Sequence, residues 1–382
     1  MRRGAAVAAV ALAALVAGCG GAAGGQSPNA ATTSLGDSPP TSTTPPAPRR
    51  ATPALRLTLR QAIGQHLVFA YSGARPPAAL RRRIARGEAA GVVLFGRNVR
   101  GVGAVRAQVA RLQAIPRPRG LDAPLLVMVD QEGGDVRRLP GPPATGAAAT
   151  PSAAAARANG RAAGRLLRSA GVTVDLAPVV DVARPGAALE GEGRTYGRDA
   201  ATVTARAGAF AAGLRAAGVE PVLKHFPGFG AATVNTDDGA ARVEVPLATL
   251  RAVDARPYAA LDPRAVMLST AIYSRVDPRP AAFSRRWVAG ELRGRLGFDG
   301  VAMTDDLQAA AVARYGTPAQ LAFFALRAGV DLPLFAKDYT TGARAAAGLE
   351  RAVRSGALQR AGLDAGARRV LAWRAAIGPG TG

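Results

Sequence analysis

Short runs of consecutive apolar residues recur along this chain, each followed by a longer stretch with apolar positions three and four apart. The runs are His66–Tyr71, Gly91–Phe95, Leu125–Asp130, Val172–Val180, Glu220–Leu223, Ala265–Ser269, Gly300–Thr304 and Val330–Phe335. Runs of this length without polar alternation suit strands covered on both faces. The segments between them, such as Val102–Leu112, Ala154–Ala170 and Ala200–Ala217, are rich in Ala and Arg and carry a helical period. Eight strand–helix alternations over about 320 residues predict an α/β fold, a (β/α)8 TIM-type barrel forming a single catalytic domain. A doubly wound open sheet is the competing architecture, but no Gly-x-Gly-x-x-Gly turn follows the first strand.

The pattern is absent before residue 54. Arg2 and Arg3 precede an apolar stretch, Ala5 to Ala17, which is too short to span a bilayer and suits the apolar core of a signal peptide. It ends in Val16-Ala17-Gly18-Cys19, which resembles a bacterial lipobox and makes Cys19 the expected lipidation site. Ordinary secretion with an incidental cysteine is the alternative. Residues 20–53 are mostly Gly, Ala, Ser, Thr and Pro, cannot bury a core, and read as a disordered tether. The expected organisation is therefore a signal peptide over 1–19, a tether over 20–53 and the barrel over 54–382.

Charge and cysteine count narrow the partners. The formal net charge is +23, and removing the four arginines and Asp37 of residues 1–50 leaves +20 on the rest. A charge of this size admits nucleic acid. The export signal and the scatter of arginines over many helices, with no basic run interleaved with aromatics, argue against it. An anionic cell wall or membrane surface is the expected partner, the membrane being reached through the lipid anchor. Arg-rich coding bias explains the charge equally well. With a single cysteine there is no internal disulfide, and with two histidines a zinc site of His and Cys ligands is not expected. No metal or organic cofactor is implied.

The candidate chemistry collects at strand ends. Asp130, Lys224, His225 and Asp305 each stand at or just after the C-terminal end of an expected strand, where a barrel builds its active site. Lys224 is one of two lysines in a chain with 49 Lys and Arg residues, and His225 one of two histidines. A compact ammonium donor beside an imidazole, closed by Pro227-Gly228, suits a site for polar hydroxyl groups. A solvated loop lysine is the bland alternative.

Lys224-His225-Phe226-Pro227-Gly228-Phe229-Gly230, Asp130-Gln131-Glu132-Gly133-Gly134 and Thr304-Asp305-Asp306-Leu307 together resemble signatures of glycoside hydrolase family 3, in its bacterial N-acetyl-β-glucosaminidase branch. Gly91–Phe95 and Asp175–Val182 also read like the family's strands, and the resemblance covers roughly residues 58–375. It implies an exported retaining glycosidase, a β-N-acetylhexosaminidase acting on terminal N-acetylglucosaminyl residues of cell-wall fragments. Asp305 is the implied nucleophile, with Asp306 turned toward the next helix as its cap. Asp130, Arg138, Arg194, Lys224 and His225 are the implied sugar-binding residues. Asp135 departs from the family wording, which has an arginine there. No sequence remains for the second domain of many β-glucosidases in the family, although a β-glucosidase specificity would use the same residues.

The acid/base position breaks the pattern. The branch places Asp-Ser-His four residues after its Lys-His-Phe-Pro-Gly-His-Gly loop, the Asp and His forming the proton-transfer dyad. Here the corresponding residues are Asn235, Thr236 and Asp237, and Phe229 replaces the loop histidine. In one reading Asp237 is itself the acid/base, its pKa raised by Asp238 and a partly dry site and its carboxyl oriented by Asn235. In the other, Asp237-Asp238-Gly239 is a solvated turn and the protein is a sugar-binding pseudoenzyme.

Overall fold

The computed structural model describes residues 56–378, so Cys19, the signal segment and the 20–53 tether lie outside the described residues. The apolar runs form nine short strands: β1 Val68–Phe69, β2 Gly91–Val93, β3 Leu126–Val129, β4 Val174–Asp175, β5 Glu220–Pro221, β6 Leu223–Phe226, β7 Ala265–Leu268, β8 Val301–Asp306 and β9 Leu332–Phe335. Every neighbouring pair in the order β5-β4-β3-β2-β1-β9-β8-β7-β6 is parallel. The two ends of that order, β5 and β6, are halves of one strand interrupted at Val222. Val222 donates to the carbonyls of Asp175 and Ala177, and Val180 donates to that of Lys224 at 2.7 Å, so the sheet closes on itself. Eight strand positions, alternating with helices, make a (β/α)8 TIM-type barrel.

The strands are shorter than the apolar runs, for a local reason. Val172–Val180 pairs regularly only at Val174–Asp175, because Pro178 has no N–H to give to a ladder. The expected strand Glu220–Leu223 runs on through Lys224, His225 and Phe226, which carries the chemistry inside the strand rather than after it.

Two apolar layers follow from the strand pleat. Val68, Val93, Leu126, Met128, Val174, Met267, Val301, Met303, Leu332 and Leu334 pack on one another in one buried cluster, the inside of the barrel. Their sequence neighbours Phe69, Val92, Val127, Val129, Val266 and Phe335 belong to the larger cluster under the helices. Alternation of side chains across a strand assigns each run to both layers at once. The C-terminal helix Arg360–Ile377 sends Val370 and Trp373 into the inner cluster.

Several helices are started by side-chain caps. Ser152 accepts from Ala155 N at 3.1 Å before helix α1, Ala153–Ser169, and Asp199 from Thr202 N at 2.8 Å before helix α2, Ala200–Ala216. His66 is buried at the base, with Nδ1 2.6 Å from Asp331 O and Nε2 2.8 Å from Leu363 O, tying the first strand to the last helix.

Helices α1 and α2 cross closely because glycine stands at the contact. A Cβ on Gly160 would lie 2.1 Å from the carbonyl oxygen of Phe210. Gly160→Ala is therefore expected to destabilise by about 1–3 kcal/mol in urea unfolding, since the helices must separate. Gly103, with open space around its Cβ direction, is the control: Gly103→Ala should be neutral or stabilising by up to about 1 kcal/mol. Equal effects at the two positions would contradict this packing.

Candidate active site

The C-terminal ends of the strands surround a cavity of about 270 Å³. Asp130, Arg138, Arg194, Lys224, His225, Asp237 and Asp305, gathered from across the sequence, all line it. Leu176, Met267 and Leu334 of the inner apolar cluster also border it.

Two strand irregularities supply the side chains in adjacent pairs. Lys224 is opposite Met267 and Phe226 opposite Leu268, so β6 carries an extra residue, His225, against its partner. In a regular strand, neighbours point to opposite faces; a bulge re-aims one of them. Lys224 and His225 thus both reach the cavity. The same device recurs in β8, where Met303 faces Leu332 but Asp306 faces Leu334. Asp305 and Asp306 consequently both line the cavity.

Lys224 is held by two carboxylates, its Nζ lying 2.8 Å from Asp130 Oδ1 and 2.7 Å from Glu132 Oε1. Glu132 is buried and also accepts both arms of Arg194, at 2.9 and 2.8 Å. Arg138 approaches the second Asp130 oxygen at 3.5 Å and lies over the Phe95 ring. Burial by itself would raise the Glu132 pKa, but Lys224 and Arg194 outweigh it and hold the carboxyl well below the usual range. Burial likewise opposes the Lys224 charge, and Asp130 and Glu132 outweigh it, so its pKa is raised. Removing one member of such a buried group costs about 3–5 kcal/mol, because its partners are left charged and unpaired.

Asp175 lies beneath this cluster and behaves oppositely. Its Oδ1 accepts from Gln131 N at 2.9 Å, while Oδ2 has no hydrogen-bond partner. Burial, reinforced by Asp130 and Glu132, pushes its pKa up to about 8. His225 is fixed by another buried acid, Asp181, whose Oδ2 lies 2.7 Å from Nδ1. Asp181 Oδ1 accepts from the backbone N–H groups of His225 at 3.2 Å and Phe229 at 2.6 Å. The Phe229 ring stands edge-on to the imidazole, and Gly228 turns the chain at φ +127°, where a side chain would be strained.

The loop that carries Asp237 follows. Asp237 is an exposed residue that lines the cavity. Partial desolvation and then the Asp305 carboxylate raise its pKa, with Asp238 a smaller contributor and Arg194 and His225 opposing. Asn235 does not touch the Asp237 carboxyl as expected from the sequence. Its Oδ1 accepts from Asp237 N at 3.1 Å, and its Nδ2 donates to Glu192 Oε1 at 2.8 Å.

Asp306 is not a helix cap. Its Oδ1 accepts from Gln308 N and Ala336 N, linking β8 to the chain beyond β9, and burial lifts its pKa to about 6. Asp135 is exposed and Arg137 turns to the carbonyls of Gly134 and Gly141, so the departure at position 135 lies outside the cavity. Among the described residues, no group of three or more His, Cys, Asp and Glu is arranged to hold a metal ion.

Sequence reasoning gave no role to Glu132, Asp175, Asp181 or Glu192. The available signal was an acid inside an apolar run, since acids are almost never fully buried unless paired. Asp175 and Asp181 bracket Leu176–Val180 in that way.

Known proteins resemble this chain in sequence and in fold. The model of the glycosyl hydrolase family 3 N-terminal domain matches residues 58–373. An uncharacterized secreted glycosyl hydrolase of Arthroderma benhamiae is 34% identical over 337 residues, covering 84% of this chain and 95% of its own. A β-hexosaminidase of Xylella fastidiosa is 39% identical over 259 residues, covering 64% of this chain and 75% of its own. The crystal structure of a β-N-acetylhexosaminidase from Beutenbergia cavernae superposes with a TM-score of 0.76 at 38% identity, covering 84% of this chain and 99% of that one.

The Asp175 environment generates a pH prediction. Its folded pKa of about 8 stands above the ordinary 3.8. Between those values the folded chain holds a proton that the unfolded chain releases, so stability falls as pH rises through the window. Asp175→Asn, which mimics the neutral acid, should flatten the dependence of the unfolding midpoint on pH from about 4 to 8. A slope identical to that of the unaltered protein would show that Asp175 is not held protonated.

Proposed function

The chain belongs to glycosyl hydrolase family 3 and is a glycosidase, and from that premise we propose that it is an exported, retaining β-N-acetylhexosaminidase. Its substrates in this reading are terminal N-acetylglucosaminyl residues of cell-wall fragments. The β-hexosaminidase relatives support the sugar, and the secreted relative supports export. Cys19 and residues 20–53 would anchor the barrel to the outer face of the membrane. The observation that carries the mechanism is that Asp237 and Asp305 line one cavity together with Arg138, Arg194 and Lys224.

The ring hydroxyls would be held by Asp130, Arg138, Arg194, Lys224 and His225. Their geometry is set by buried acids before substrate arrives, so no reorganisation is needed as charge develops. In the first step a carboxylate oxygen of Asp305 bonds to the anomeric carbon. The bond to the leaving oxygen breaks, and that oxygen takes the proton of Asp237. The negative charge of Asp305 favours a protonated Asp237 at this stage. Once Asp305 is esterified, that charge is gone and the Asp237 pKa falls. In the second step Asp237 therefore removes a proton from water, whose oxygen displaces the Asp305 ester and regenerates both groups.

Activity is expected to fall as pH rises through the raised pKa of Asp237, giving an acidic optimum. Asp237→Ala should lower kcat on natural glycosides by about 10²- to 10⁴-fold, with far less effect on activated aryl glycosides, and added azide should restore turnover of the latter. Unimpaired turnover of natural substrate would remove Asp237 from the acid role. A 2-fluoro sugar should label the peptide containing Asp305 with overall retention of configuration. Inverted product, or a label on another carboxylate, would exclude the nucleophile assignment. Chromogenic N-acetylglucosaminide should be turned over in preference to glucoside; the reverse preference would make the protein a β-glucosidase.

A further inference from the structure

We infer that Asn235 and Glu192 form a latch that holds the Asp237 turn over the cavity, and that the amide at position 235 is required by the Glu192 carboxylate. The inference rests on the acid/base role proposed for Asp237. It changes the meaning of Asn235 from a lost dyad member to a positioning residue.

Asn235 uses both ends of its side chain. Oδ1 accepts from Asp237 N at 3.1 Å, and its backbone carbonyl accepts from Asp238 N and Gly239 N, each at 3.1 Å. Those bonds shape the turn that carries Asp237. Nδ2 donates to Glu192 Oε1 at 2.8 Å, the side-chain bond joining this turn to the loop after β4. Glu192 Oε2 accepts from Arg194 at 3.0 Å, and Arg194 is held by Glu132. A continuous chain of bonds therefore runs from the buried cluster through Arg194 and Glu192 to the Asp237 turn.

An aspartate at position 235 could still accept from Asp237 N. It could not donate to Glu192, and two carboxylates would face each other at hydrogen-bond distance. Arg194 does not bridge them, because it is bonded to the other Glu192 oxygen. The turn has separate ties, from Ala188 N to Ala232 O and from Ala311 N to Thr236 O. Losing the latch should thus loosen residues 235–239 without unfolding the loop. Thr233, Val234, Asp237 and Asp238 are exposed, so apolar packing does not compensate.

The test is a charge-reversal cycle on the full chain, using Asn235→Asp, Glu192→Gln and the double variant. Amide hydrogen exchange across residues 231–240 is read beside kcat and KM on an N-acetylglucosaminide with a poor leaving group. Asn235→Asp should speed exchange at Asp237–Gly239 near neutral pH and lower kcat by about tenfold or more, with KM changed much less. In the double variant, the amide introduced at position 192 donates to the carboxylate introduced at position 235. Its carbonyl oxygen still accepts from Arg194, so both readouts should return toward the starting protein. If Asn235→Asp leaves exchange unchanged, raises activity, or is not rescued by Glu192→Gln, the latch is refuted. If exchange follows the cycle but kcat does not, the latch stands and the acid role of Asp237 fails instead.

Discussion

The Lys224 ammonium, buried between Asp130 and Glu132, is the interaction on which the rest of the site depends. Taking one cation and two carboxylates out of water is unfavourable unless every charge is met. Arg194 meets the second carboxylate from the loop after β4, which balances the charges, and burial beneath them pushes the Asp175 pKa up. A cluster of this kind adds little net stability, since desolvation cancels most of the attraction. What it supplies is position. Lys224 and Arg194 are both held in place at the cavity wall by ion pairs, with Glu132 buried behind them and Asp130 at the cavity surface.

Barrel geometry supplies what pairing alone does not. β3 and β6 are not neighbours in the sheet, and the chain of β4 lies between them. The lysine can bridge them only because strand ends converge at one face of a closed barrel. The bulges in β6 and β8 then double the number of side chains each strand delivers. Asp305 and Asp306 illustrate the economy of this arrangement. One is left with an open face in the cavity, while the other ties two strand ends together through backbone N–H groups.

The loop that carries Asp237 is held in a different way. Asp237 lines the cavity with Asp305 yet is an exposed residue, so burial does not fix it. The turn is shaped by Asn235 and tied at Glu192 and Ala311, contacts that leave Asp237 exposed. The Asp305 charge raises the Asp237 pKa across the cavity. In the proposed mechanism a pair of coupled carboxyls takes the place of a histidine relay, and protonation of Asp237 then depends on whether Asp305 carries its charge.

By itself, the sequence determined the barrel and the identity of most of the site. Uninterrupted apolar runs specify strands buried on both faces whatever surrounds them, and helical spacing specifies the covering layer. Lys224 and His225 were visible because rare residue types stood at a strand end, and Asp130 and Asp305 because strand-end acids fell within family motifs. Tertiary structure decided which of the acids beside them are charged. Asp175, Asp181 and Glu132 look alike as sequence, but one is pushed up by burial, one orients an imidazole, and one is held ionised by two cations. It also decided that Asp306 joins strands instead of capping a helix, and that Asn235 reaches Glu192 rather than the Asp237 carboxyl. Those outcomes turn on distances of about 3 Å between residues far apart in the chain, and at that range a carboxyl's protonation is set by its neighbours rather than by its own chemistry.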